Sequence, residues 1–174
     1  MDDPHLARRA ASGDAAAFDT LVRMHQGRIR AFLRRLTKAD AALADDLAQE
    51  TFLEAWRKIA QYRGEAPFAA WLSRIAWSRF LMQARRRGPQ TEELDDSLPA
   101  PIAALPGERL DLERAMAKLP AAERAALTLC YAMEFSHSEA SEIMDMPLGT
   151  VKSHVSRGRE RLRALLQLPK GEAA

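Results

Sequence analysis

The sequence predicts an all-α protein: two small helical domains joined by a flexible acidic linker. Three observations carry this. Ala, Leu, Arg and Glu dominate a 174-residue chain that has only 8 glycines, and strand-like runs of Val, Ile and Thr are absent; such a composition favours helix. Apolar residues recur at steps of three and four along most of the chain, the period of an amphipathic helix. Between Gly88 and Gly107 the composition changes abruptly, with four prolines (Pro89, Pro99, Pro101, Pro106) and four acids (Glu92, Glu93, Asp95, Asp96), which reads as a linker with little fixed structure.

The first domain, residues 1–88, begins its helical pattern after Asp14, a good N-cap following Ser12-Gly13. Phe18, Leu21, Val22, His25, Ile29, Phe32, Leu33 and Leu36 then form one long apolar stripe. A break at "TKAD" leads to a second helix, with Leu43, Leu47, Phe52, Ala55, Trp56 and Ile59 inward and Asp45, Asp46, Gln49, Glu50 and Glu54 outward. "QYRGEAP" is punctuated by Gly64 and Pro67 and reads as a loop. A third helix starts near Phe68, with Trp71, Leu72 and Ile75 on its inner side. From Trp71 to Gly88 its basic residues Arg74, Arg79, Arg85, Arg86 and Arg87 face no acid.

After the linker (89–107), the second domain (108–174) resumes with Leu112, Met116 and Leu119 on one stripe. Pro120 restarts the chain at a first-turn position, and Ala126, Leu129, Cys130 and Met133 form the next stripe. Ser136 can cap a short helix holding Ala140, Ile143 and Met144. "DMPLG" is a turn of the right length to set two helices at a steep angle. In the last helix Val151, Val155, Gly158, Leu162 and Leu165 define a buried face, with Gly158 expected at a close helix contact. Thr150 can cap its N-terminus, where free amides favour a phosphate. From Thr150 to Leu166 five basic residues face the lone Glu160. This is the pattern of a helix-turn-helix whose second helix enters the major groove. Lys152, Ser153, His154 and Arg157 are placed to read base edges, and Arg159, Arg161 and Arg163 to hold phosphates.

Several functions are disfavoured. One cysteine, Cys130, precludes an internal disulfide, and the N-terminus "MDDPHLARRAASGD" has no signal-peptide core, so a cytoplasmic protein is expected. His5, His25, His137 and His154 are scattered, and no phosphate loop, nucleophile triad or metal-spaced cluster is legible. No catalytic residue, metal or cofactor is therefore expected. His25 falls on an apolar stripe and reads as a core histidine. The net charge of +2 says little about partners; its distribution says more.

The stretch "LPAAERAALTLCYAMEFSHSEASEIMDMPLGTVKSHVSRGRERLRALL" resembles the C-terminal DNA-binding region of extracytoplasmic-function (ECF) sigma factors of the sigma-70 family. Leu119-Pro120, Glu123-Arg124, Ser136, Glu139, Ile143, Pro147, Gly149, Thr150, Val151, Lys152, Ser153 and Arg157 fit the pattern. Asp145 stands where the family usually has Gly, and Ser141 where it has Ala. Independently, "DDLAQETFLEAWRKIAQYRGEAPFAAWLSRIA" resembles the family's segment for gripping core RNA polymerase, followed by its promoter −10 segment.

The resemblance implies an alternative sigma factor that binds core RNA polymerase, directs promoter-specific initiation and is held in check by an anti-sigma factor. Asp46, Gln49 and Glu50 would dock on the polymerase's coiled-coil clamp, where carboxylates give orientation and fast encounter. The −35 element would be read by Thr150, Lys152, Ser153, His154, Arg157, Arg159 and Arg161. The −10 element would be opened by Tyr62, Arg63, Gly64, Phe68, Trp71, Arg74, Trp77, Ser78, Arg79, Met82, Arg85 and Arg86, stacking and phosphate contact recovering the cost of unpairing. Ser78 and Met82 replace the Asn or Asp of many relatives, which implies an altered −10 preference. The linker would set the separation of the two DNA-reading domains. Two other classes compete: a sigma-like mimic that sequesters an anti-sigma factor, which would carry a receiver domain not legible here, and a plain helix-turn-helix regulator, which would dimerise on a palindrome.

Overall fold

The computed structural model describes residues 2–88 and 107–167, among which there is no strand. The linker segment 89–106 lies outside the described residues. Gly107, placed in the linker by its composition, instead opens a helix.

The first bundle holds four helices: α1 (Asp3–Ala11), α2 (Ala15–Leu36), α3 (Ala41–Lys58) and α4 (Phe68–Arg87). Sequence periodicity did not reveal α1, which is too short to show a repeat. Its signals are local: the Asp2 carboxylate accepts from the His5 amide at 3.3 Å, Pro4 sits in the first turn, and Leu6, Ala7 and Ala10 are buried. Gly13 at φ +97° turns the chain, and Asp14 caps α2 by accepting from the Ala17 amide at 3.0 Å. That amide and Arg9 hold the Asp14 carboxyl below its usual range. Asp40 caps α3 in the same way, through the Leu43 amide. The core is Leu21, Ile29, Phe32, Leu33, Leu36, Leu47, Phe68 and Leu72, all at most 1% exposed. Thr51 and Ser73 are buried within it and donate their hydroxyls to the carbonyls of Leu47 and Ala69, four residues back, so neither is left unsatisfied. Trp56 departs from its expected inward stripe: it is 38% exposed and lies against Phe18 at 4.9 Å between ring centroids.

The second bundle runs α5 (Gly107–Ala117), α6 (Ala121–Leu127), a wide π-helical turn (Thr128–Ala132), α7 (His137–Met144) and α8 (Leu148–Leu165). Three described non-glycine residues have positive φ here: Glu134 at 61°, Asp145 at 51° and, just past α8, Gln167 at 53°. Leu112 and Leu165, both assigned to buried stripes by spacing, are 41% exposed.

The two bundles are not held apart. α2 packs against α5 and α6, and α4 packs against α7. Arg124, 2% exposed, donates to the carbonyl of Leu119 in its own bundle and to that of Leu36 at the end of α2, at 2.6 and 2.8 Å. Leu36 ends a helix, so its carbonyl lacks an intrahelical partner, and a buried guanidinium can fill that role. Arg28 of α2 donates to the Met133 carbonyl at 2.7 Å and lies over the Phe135 ring. Arg35 and Glu113 approach to 3.4 Å.

Candidate nucleic-acid interface

The helix-turn-helix is built by its caps. Ser136 accepts from the Glu139 amide at 3.1 Å while Glu139 accepts from the Ser136 amide at 2.8 Å, a reciprocal capping box. α7 stops at Asp145 because that residue is left-handed (φ 51°, ψ 51°), which explains why glycine suits the position. Pro147 then occupies the N-cap of α8, and its carbonyl accepts from the Thr150 and Val151 amides. Thr150 therefore lies inside the first turn and is not the cap expected from sequence; the helix starts after Pro147, three residues earlier.

Ala140, Ile143 and Met144 of α7 and Val151 and Val155 of α8 are buried together. Further along, a Cβ added to Gly158 would sit 2.8 Å from Leu127 Cδ1 and 3.4 Å from Glu123 Cβ, so the close helix contact expected at this glycine is present. The opposite face of α8 exposes Lys152, Ser153, Ser156, Arg157 and Arg159, with Thr150 and His154 half-buried. Burial, and then the charge of Arg157, push the His154 pKa down from 6.5, so its ring is neutral at pH 7 and offers hydrogen bonding rather than charge. Arg159 lies over the ring of exposed Tyr131, 5.9 Å from its centroid.

Arg161, exposed on α8, also makes an ion pair. Its Nε lies 3.3 Å from Glu123 Oε2, and the Glu123 side chain is only 4% exposed. A buried carboxylate needs a cation, so Arg161 ties α8 to α6 while its own side chain stays 55% exposed.

In the first bundle, Arg74, Ser78, Met82, Arg85 and Arg86 all lie exposed along α4; most follow at four-residue steps. Arg63 and Gly64 are exposed in the loop, the latter at φ +74°. Tyr62 and Trp71 are half-buried, with ring centroids 5.5 Å apart, and the Tyr62 hydroxyl donates to the Ala66 carbonyl. Burial, then the charge of Asp3, raise the Tyr62 pKa. Three residues assigned to −10 contact are otherwise employed. Phe68 is 1% exposed, packed between His25, Tyr62 and Trp71. Trp77 is 3% exposed and stacks on Phe80. Arg79 is held at 2.7 Å by Glu54, which also pairs with Lys58. Hydrogen bonding to Lys58 and the neighbouring charges of Lys58 and Arg79 lower the Glu54 pKa from 4.5. His25 is a core histidine, as read from sequence, with Nε2 3.0 Å from Asp3 Oδ2.

Asp46, Gln49 and Glu50 share the exposed face of α3, continued by Leu53 at 58% exposure. Leu53 was not singled out in the sequence, although an apolar residue three positions beyond Glu50 on a polar stripe is a legible signal. Among the described residues no cluster of three His, Cys, Asp or Glu side chains could hold a metal ion, and no helix is long and apolar enough to cross a membrane. Burial raises the pKa of the Cys130 thiol, as befits a packing residue.

Two helical bundles, one ending in a helix-turn-helix with an exposed basic face and one carrying a second basic helix, define a DNA-binding protein of the promoter-recognition type. Residues 21–90 match the family described as Sigma-70 region 2, and residues 109–162 match Sigma-70, region 4. The chain is 36% identical to the ECF RNA polymerase sigma factor SigE of Mycolicibacterium smegmatis, over 94% of this chain and 68% of that protein. It is 32% identical to the RNA polymerase sigma-H factor of Pseudomonas aeruginosa, over 95% and 94%. Among solved structures it is similar to the sigma factor RpoE in complex with the anti-sigma factor NepR from Bartonella quintana (TM-score 0.73, 31% identity, 88% of this chain and 98% of that one). It is also similar to CnrH in complex with the cytosolic domain of CnrY (TM-score 0.70, 27% identity, 95% and 97%). The chain belongs to the sigma-70 family, within its ECF sigma factor group.

Proposed function

We propose that this chain is an alternative sigma factor of the cytoplasm that joins core RNA polymerase, directs it to a distinct set of promoters, and is controlled by an anti-sigma factor. The observation that carries the reading is the pairing, in one chain and in the family's order, of an acidic α3 face with two exposed basic helices. α8 supplies the −35 surface: Lys152, Ser153 and Arg157 reach base edges, His154 contributes as a neutral ring, and Arg159 meets phosphate. α4 and its preceding loop supply the −10 surface through Arg63, Gly64, Arg74, Ser78, Met82, Arg85 and Arg86, with Tyr62 and Trp71 as the stacking edge. Asp46, Gln49, Glu50 and Leu53 form the polymerase-docking face. Domain limits of 1–88 and 108–174 follow from this division of labour. The chain itself performs no chemistry; RNA synthesis is the polymerase's. The similarity to the sigma factor RpoE, solved with the anti-sigma factor NepR, supports the regulatory part.

The test is transcription in vitro with core polymerase. Wild-type protein is expected to start RNA synthesis from a promoter selected by the holoenzyme. Arg157→Ala is expected to weaken −35 binding by about 1–3 kcal/mol and to leave core binding unchanged. Failure of the wild-type chain to join core polymerase would overturn the reading.

A further inference from the structure

Tyr131, at 59%, is the most exposed large apolar side chain among the described residues, and the backbone is what exposes it. Leu127 lies four residues earlier and is 4% exposed. In a regular α-helix residues four apart share a face, so Tyr131 would point inward with it. The turn Thr128–Ala132 is π-helical instead, and the Met133 amide donates to the Thr128 carbonyl five residues back at 3.0 Å. Five residues then complete the turn: Thr128 and Met133 are buried together, and Tyr131 is rotated out to solvent. Such wide turns recur at functional sites.

α8 is brought to this ring by a glycine. Because Gly158 has no Cβ, its helix approaches until Leu127 Cδ1 would lie 2.8 Å from one. The next residue, Arg159, is thereby set beside Tyr131, with its guanidinium carbon 5.9 Å from the ring centroid. Arg79 and Arg161 are held by carboxylates. Arg159 is exposed, and among the described residues the Tyr131 ring is the one group that holds it. Lys152, Ser156 and Arg159 fall at i, i+4 and i+7 and are all exposed, so they form one stripe of α8. Arg159 stands about 10 Å along the helix from Lys152, where a helix seated in the major groove passes from base edges to the sugar–phosphate wall. A ring against one face of a guanidinium leaves its N–H edge open, and that planar edge matches a phosphate.

We infer that Tyr131 is a positioning residue of the −35 surface: its ring holds the Arg159 guanidinium with its N–H edge turned toward a phosphate of the −35 duplex. This rests on the sigma-factor reading above. The ring does this work and the hydroxyl is dispensable. The contact made is to the backbone, so it raises affinity without selecting sequence.

The experiment uses the full chain with core polymerase and a fluorescent duplex carrying a promoter selected by the holoenzyme. Affinity is measured against salt for the wild type, Tyr131→Ala, Tyr131→Phe, Arg159→Ala and the Ala–Ala double variant, with core binding measured separately. Arg159→Ala is expected to lower the salt slope by about one and to weaken binding about eightfold at 0.1 M salt. Tyr131→Ala is expected to weaken it about two- to fivefold, equally for strong and weak −35 sequences. Tyr131→Phe should bind as the wild type does. In the Arg159→Ala background, Tyr131→Ala should have no further effect, an outcome that a general loss of structure would not give. Thermal melts establish that the variants are folded; should Tyr131→Ala not be, Tyr131→Leu, which keeps bulk and lacks a π face, is read in its place. Full affinity in Tyr131→Ala, a Tyr131→Phe variant as weak as Tyr131→Ala, or additive losses in the double variant overturns the proposal. If the wild type does not join core, the sigma-factor reading falls, and the same cycle on the free chain with duplex DNA at low salt still decides whether Tyr131 acts through Arg159.

Discussion

Two glycines in the middle of long helices allow a clean separation of backbone and packing effects. Gly27 lies within α2 with nothing inside 4 Å of a built Cβ, whereas Gly158 lies within α8 with Leu127 Cδ1 at 2.8 Å, Leu127 Cγ at 3.3 Å and Glu123 Cβ at 3.4 Å. Replacement by Ala gains the same helix propensity at both, about 1 kcal/mol. At Gly27 nothing opposes that gain, so Gly27→Ala is expected to stabilise by about 0.5–1 kcal/mol. At Gly158 the new methyl must displace Leu127, which is 4% exposed and packed in the core, so the atom that could swing away has nowhere open to go. Overpacking costs about 1–3 kcal/mol. The cost meets or exceeds the gain, and Gly158→Ala is expected to destabilise by up to about 2 kcal/mol. Urea unfolding at pH 7 with a common m-value reads both, and a thermal melt should move by about 2–4 °C per kcal/mol in opposite directions. If Gly158→Ala stabilises as much as Gly27→Ala, the α6–α8 contact is not close packing and the account of that glycine is wrong.

Two further changes test the backbone and the electrostatics. Asp145→Gly should stabilise the second bundle by up to about 1 kcal/mol, since its αL geometry strains a residue with a Cβ; a loss of stability in urea would mean the Asp side chain has a role not visible in its contacts. Glu54→Gln should cost about 1–2 kcal/mol by leaving Arg79 and Lys58 unpaired. Because the Glu54 pKa is lowered from 4.5 on folding, its contribution is present in full above pH 4.5 and is lost as pH falls through the folded value. The stability gap between wild type and variant should therefore close on acidification below pH 4.5, and a gap that stays constant to pH 3 would show that the carboxylate's charge is not what stabilises.

The sequence by itself determined every described helix except α1, the caps at Asp14 and Ser136, and the turn between α7 and α8. Those are local: Asp14 and Ser136 bond to amides three residues away, and the Val151–Val155–Gly158 face is an i, i+4, i+7 pattern that periodicity detects. It also determined the exposed basic stripes of α4 and α8, since residues such as Arg74, Ser78, Met82, Lys152 and Arg157 lie off the apolar face. Tertiary structure alone decided which of the remaining aromatic and basic residues are free. Phe68 is taken into the first core, Trp77 is buried on α4, and Arg79 and Arg161 are bound by acids on neighbouring helices. It alone revealed the docking of the bundles, whose links join residues as distant as Arg28 and Met133. The physical reason is range. Side-chain patterning within one helix reports which face turns inward, but a guanidinium finds its carbonyl or carboxylate across a helix–helix interface, and nothing in the spacing along either helix encodes that choice.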